Sequence, residues 1–73
     1  MHCPQPDVEA AIGAKIRNRR RALGITQMEL AAELGISYQQ LQKYERGTNR
    51  VAASRLYLIA KILRVEVQYF LSD

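Results

Sequence analysis

The chain has 73 residues and is 48% hydrophobic, with 11 Lys and Arg against 7 Asp and Glu, for a formal charge of +4. That length holds one domain, which buries only a modest share of its unfolded surface, so the stability margin is thin. No apolar run approaches the roughly 18 residues that a membrane span needs, and a lone cysteine, Cys3, rules out an internal disulfide.

The opening residues MHCPQPDVEA lack the basic start and apolar core of a secretory signal, so a soluble, cytoplasmic chain is expected. Residues 1–7, with Pro4 and Pro6, read as a flexible leader and residues 8–73 as the domain. His2 and Cys3 fall in that leader and cannot supply the three or four ligands of a zinc site, so no metal is expected. With no proline after the leader, every later segment is free to be helical.

Val8, Ile12, Ile16 and Leu23 recur at helical spacing and predict a first helix that stops at Gly24. The cations Lys15, Arg17, Arg19, Arg20 and Arg21 interrupt this stripe. Such a run reads as a solvated face or as a source of long-range attraction without fixed contacts.

In TQMELAAELG, Thr26 and Glu29 form a T-x-x-E capping box, while Leu30, Ala31 and Leu34 make an inward stripe ending at Gly35. Ser37 and Gln40 then repeat the device as S-x-x-Q, opening a third helix that closes at Gly47.

After the loop TNRVAA, the segment SRLYLIAKIL sets Leu56, Ile59, Ala60 and Leu63 on one face. The tail VEVQYFLSD adds Val65, Val67, Phe70 and Leu71 as a last short helix. No segment alternates as a strand does, so the expected fold is all-α with five helices.

Helices this short are unstable alone, so the corner at Gly35 must be held by packing. Ala31 is small enough for close approach, Gly35 can take a positive φ, and Ile36 and Leu41 fill the space beneath. Together these features predict a helix-turn-helix.

With Leu41 set at zero on a wheel of about 100° per residue, Tyr44 lies about 60° to one side, defining the buried direction. Gln39, Gln42, Lys43 and Arg46 fall within an arc of about 100° on the far side. Amides pair bidentately with adenine, and a lysine suits guanine or phosphate, which is the chemistry of major-groove reading. Such a face by itself is most often merely solvated. Here it follows a tight corner in a basic chain, and the next loop offers Asn49 and Arg50 to a neighbouring phosphate. Double-stranded DNA is the expected partner.

The stretches IRNRRRALGITQ, TQMELAAELGIS, QKYERG and LRVEVQYFL resemble the phage repressor and Cro-like (Xre) family of helix-turn-helix regulators, from about Ile12 to Leu71. The resemblance implies a lambda-repressor-like domain of five helices, with the second crossing the phosphate backbone and the third inserted into the major groove. It implies that Gln27 contacts a phosphate and braces the first residue of the third helix. Tyr38, Gln39, Gln42 and Lys43 stand where the family reads bases, and Arg46, Asn49 and Arg50 where it grips phosphate. Tyr38 departs from the polar residue often found there and suits a thymine methyl or a sugar. Glu45 lies about 40° from Leu41 and faces partly inward, a costly place for an unpaired carboxylate. The family pairs this glutamate with an arginine of the first helix, a position that Arg20 fills.

One such helix reads only a few base pairs, so a dimer on a palindromic operator is expected, acting by occupancy as a transcriptional regulator, most simply a repressor. Val67, Tyr69, Phe70 and Leu71 are more apolar bulk than one side of a short helix buries. At least one of Phe70 and Leu71 should complete the core, leaving Val67 and Tyr69 for the partner subunit. An antitoxin, a restriction-modification controller and a protein-interaction module that does not read DNA share this fold and stay open. An enzyme is not expected, because there is no catalytic His or Cys outside the leader, no phosphate-binding glycine loop and no carboxylate pair in an obvious cleft. No cofactor, small-molecule ligand or membrane association is expected; the apolar partners of the basic segment Ile16 to Arg21 are needed for the core.

Overall fold

Short helices persist only where caps end them cleanly and a shared core holds them. The computed structural model describes residues 6–72. Five helices are arranged in the order α1 (Pro6–Ala22), α2 (Gln27–Leu34), α3 (Tyr38–Arg46), α4 (Ala53–Leu63) and α5 (Gln68–Leu71), with no strand among the described residues. Most of the expected leader, with His2, Cys3 and Pro4, lies outside those residues, but α1 already begins at Pro6. Proline is tolerated in a first helical turn, where its missing N–H would have had no partner.

The core gathers Ile16 of α1, Leu30, Ala31 and Leu34 of α2, Leu41 of α3, Leu56, Ile59, Ala60 and Leu63 of α4, and Phe70 of α5. Ile12, Ile25, Ile36, Tyr44, Val65 and Val67 pack around it, half-buried. Val8 and Leu23, expected on the inward stripe of α1, are instead exposed; of Phe70 and Leu71, at least one of which should complete the core, Phe70 is buried and Leu71 exposed. Leu23 follows the last residue of α1, so the helical period no longer aims it. Val8 precedes Ala10, which already lies against Gly47 at the end of α3, and so overhangs the helix it would have packed on.

α1 lies against α3, α4 and α5, and α2 against α3 and α4. Cationic side chains fasten several of these helices at their C-terminal ends, where carbonyls lack helical partners. Arg19 Nε donates to the Leu63 carbonyl at 2.9 Å, closing α4. Arg55 Nη1 donates to the Leu34 carbonyl at 2.9 Å, closing α2. Lys15 Nζ donates to the carbonyls of Tyr69 and Ser72 at the end of α5. Part of the basic run in α1 is therefore structural.

Candidate nucleic-acid interface

The interface is built outward from the corner between α2 and α3. Gly35 takes the left-handed conformation, φ 71°, and its N–H reaches the carbonyls of Ala31 and Ala32. The Ile36 N–H also donates to the Ala31 carbonyl, at 3.0 Å, so the last carbonyls of α2 are satisfied while the chain turns. Thr26 opens α2 with the full reciprocal cap: the Glu29 N–H donates to Thr26 Oγ1 at 3.1 Å and the Thr26 N–H to Glu29 Oε1 at 2.8 Å. Ser37 opens α3 with only half of it, its Oγ accepting from the Gln40 N–H at 3.1 Å. The expected return bond to the Gln40 carboxamide is not made; a neutral amide oxygen attracts a backbone N–H less than a carboxylate does.

On α3, Leu41 is fully buried and Tyr44 half-buried. Gln39, Lys43 and Arg46 are exposed on the opposite side, and Tyr38 is exposed at the helix start. Gln42 is half-buried at the edge of this face, leaning toward α2. Asn49 and Arg50 are exposed in the following loop. Just before them, the Thr48 N–H and Oγ1 both donate to the Lys43 carbonyl and prolong the cap of α3. Arg50 Nε lies 3.7 Å from Glu9 Oε2 with its side chain 78% exposed, a solvated pair that holds Arg50 only weakly.

Behind the exposed face lies a buried polar chain. Arg20 grips Glu45 with two donors, Nε to Oε2 at 2.7 Å and Nη2 to Oε1 at 3.0 Å, and its Nη1 donates to the Ile25 carbonyl at 2.9 Å. Gln27 Nε2 donates to Glu45 Oε1 at 2.9 Å, and Gln42 Nε2 donates to Gln27 Oε1 at 3.5 Å. Among the described residues no buried side-chain nitrogen or oxygen lacks a partner, so the cost of burying Glu45 is offset where it arises. The family pattern has Gln27 brace the first residue of the third helix. Here Gln27 engages the fifth, Gln42, because the Glu45 carboxylate is the strongest acceptor in reach and turns Gln27 toward itself.

Arg17, Arg21 and Arg46 line an open concavity of about 640 Å³ with Thr26, Gln27 and Gln42. Sequence reasoning left Arg17 and Arg21 without a place. The signal it lacked was tertiary: the fold brings these two arginines to the same opening as Arg46. Guanidinium groups beside the N-terminal N–H groups of α2 make this concavity chemically suited to anions.

The residues read as a partner face separate. Tyr69 is exposed, with its ring edge-on to Phe70 at 5.2 Å and Lys15 Nζ at 5.9 Å from its centroid. Val67 packs half-buried against the core, because it stands three residues before the buried Phe70 and shares that side of the turn. The exposed apolar side chains of α4 and α5 are Tyr57, Leu58, Tyr69 and Leu71.

Two short capped helices meeting at a left-handed glycine, the second with its outer side polar and cationic, define a helix-turn-helix domain. Residues 16–70 match the family model described as helix-turn-helix. An uncharacterised transcriptional regulator of the ATPase CF(0) region in Rhodospirillum rubrum is 56% identical over 90% of this chain and 61% of its own length. The clp gene regulator ClgR from Corynebacterium glutamicum superposes with a TM-score of 0.83 at 30% identity, covering 94% of this chain and 87% of that one. SinR, the master regulator for biofilm formation solved in complex with DNA, gives 0.77 at 27% identity, covering 84% and 98%. The chain belongs to the Cro/C1-type (Xre) helix-turn-helix family, a family of transcriptional regulators and not of enzymes. It spans 61% and 50% of the length of the first curated relatives that it matches. Among the described residues no helix is long and apolar enough to cross a membrane.

Proposed function

We propose that this domain binds double-stranded DNA in a sequence-specific way, with α3 in the major groove, and represses transcription in the cytoplasm as a dimer on a palindromic operator. The observation that carries this reading is the shared exposure of Gln39, Lys43 and Arg46 on one side of α3, beside a concavity lined by four arginines, one of which, Arg20, is paired with Glu45. Gln39 and Lys43, with Tyr38 and Gln42 at the margin, are the base readers; Gln27, Arg46, Asn49 and Arg50 hold phosphates. The likeness to SinR, which was solved with DNA, supports it. A second copy meets the exposed apolar side chains of α4 and α5, Tyr69 among them, and Val67 contributes from beneath.

Selection of bound fragments from random duplex DNA tests the proposal. Two inverted half-sites spaced by about one helical turn, roughly 10–10.5 base pairs, are expected. A pool that emerges without consensus overturns operator reading, and a strict monomer in sedimentation with and without DNA overturns the dimer.

Within the selected site, Gln39→Ala is expected to weaken binding by about 1–3 kcal/mol and to relax preference at a single position per half-site. Arg50→Ala should act differently. It should weaken binding to all sequences alike and reduce the slope of log affinity against log salt by about 0.9 for each phosphate that the protein no longer neutralises, measured by titration between low and moderate salt.

A further inference from the structure

One carboxylate stands where the proposed reading puts phosphate. Glu9 lies near the start of α1, and Gly47, at the close of α3, brings it there. A Cβ added at Gly47 would stand 2.5 Å from the Ala10 Cα and 3.0 Å from the Glu9 carbonyl carbon. Having no side chain, Gly47 lets the backbone of α1 settle on the cap of α3, beside the loop that carries Asn49 and Arg50.

The ion pair that results is lopsided. The Glu9 side chain is 23% exposed and that of Arg50 78%. The carboxylate is therefore the fixed member, seated by the packing of α1 on α3, and the arginine the mobile one. From Arg50 Nε to Glu9 Oε2 the distance is 3.7 Å, too long for a hydrogen bond, so Glu9 draws on the charge of Arg50 without aiming its guanidinium. A phosphate oxygen competes for the same guanidinium and offers it shorter, charge-assisted bonds. When Arg50 turns to that phosphate, Glu9 stays behind and repels the polyanion that has drawn its partner away. Resting on the proposed grip of phosphate by Arg50, we infer that Glu9 competes with the DNA backbone for Arg50 and lowers affinity for every sequence alike. Residence on DNA then depends more on the base contacts of α3.

The experiment titrates the parent, Glu9→Gln, Arg50→Ala, the Glu9→Gln/Arg50→Ala pair and Glu33→Gln with a selected duplex and with a scrambled one. Each titration is repeated over a range of salt, below the lowest melting temperature of the set. Glu33→Gln makes the same change in net charge at an exposed carboxylate of α2 and controls for it. Glu9→Gln should tighten binding to both duplexes by roughly 1.5- to 5-fold, the range that an exposed ion pair accounts for. It should also steepen the slope of log affinity against log salt, because the charge of Arg50 is then given wholly to phosphate. Glu33→Gln should do less, and with Arg50 already replaced by alanine the gain from Glu9→Gln should shrink.

No tightening by Glu9→Gln, an equal tightening by Glu33→Gln, or a gain that survives in full without Arg50 would each overturn the inference. So would tightening confined to one of the two duplexes. If Arg50→Ala itself leaves affinity and salt slope untouched, the phosphate role of Arg50 falls and takes the inference with it. A weakened Arg50→Ala beside an unaltered Glu9→Gln sinks the inference alone.

Discussion

Replacing Glu45 with alanine is expected to lower stability by about 3–5 kcal/mol, because it leaves the Arg20 guanidinium buried without its counter-charge. Both side chains are almost wholly enclosed, with 8% and 2% of their areas exposed, so water cannot stand in for the missing carboxylate. Gln27 loses its acceptor as well. Small domains hold only roughly 5–15 kcal/mol in all, so a large part of the margin goes with one carboxylate. The melting temperature should fall by at least about 12 °C in a domain of this size. Removing both charges, as Arg20→Leu with Glu45→Leu, should restore much of the loss, since no charge is then stranded. A melting temperature for Glu45→Ala within a few degrees of the parent would refute the assignment.

The second large effect is expected at Gly13, buried in the middle of α1. Helix propensity alone favours alanine there by roughly 0.5–1 kcal/mol. Packing decides the other way. A methyl group at this position would stand 2.6 Å from the Glu45 carbonyl oxygen and closer still to that of Tyr44. Both neighbours are backbone at the end of α3, which cannot swing aside as a side chain would. Overpacking of this kind costs about 1–3 kcal/mol and more where backbone must shift, so Gly13→Ala should be destabilising by about 2 kcal/mol or more in chemical denaturation. A stabilised variant would mean that α1 and α3 can move apart freely. DNA affinity measured well below the melting temperature should fall too, because any separation of α1 from α3 displaces the side that carries Gln39 and Lys43.

The same residue shows where sequence reasoning ends. Gly13 sits in a helical stripe with no turn beside it, and its reason for being glycine is a pair of carbonyls far along the chain, at Tyr44 and Glu45. Gly35, by contrast, was legible as a corner, because the caps at Thr26 and Ser37 and the apolar stripe on each side are all local. The end of α4 at Leu63 was legible from its apolar stripe, but not the turn that follows, where Arg64 takes φ 61° without being glycine.

In the interface, the outward side of α3 could be placed from one wheel, since burial of Leu41 fixes the rest. The basic run of α1 could not be sorted in that way. Arg20 serves Glu45, Arg19 closes α4, Lys15 closes α5, and Arg17 and Arg21 line the concavity. Adjacent residues of one type diverge because successive positions point about 100° apart, toward different neighbours that only the fold supplies.

The position of α1 has a geometric corollary for any two-fold assembly of this domain. One unbroken rod joins the Gly13 approach to α3 with the Lys15 and Arg19 bonds to the ends of α5 and α4, so subunits joined through α4 or α5 would carry their two probes on stiff arms. Each base pair inserted between inverted target sequences turns the far one by about 35°. In an assembly of that kind the arms would not flex to follow, so a duplex with mismatched spacing would have to over- or under-wind to be gripped at both ends.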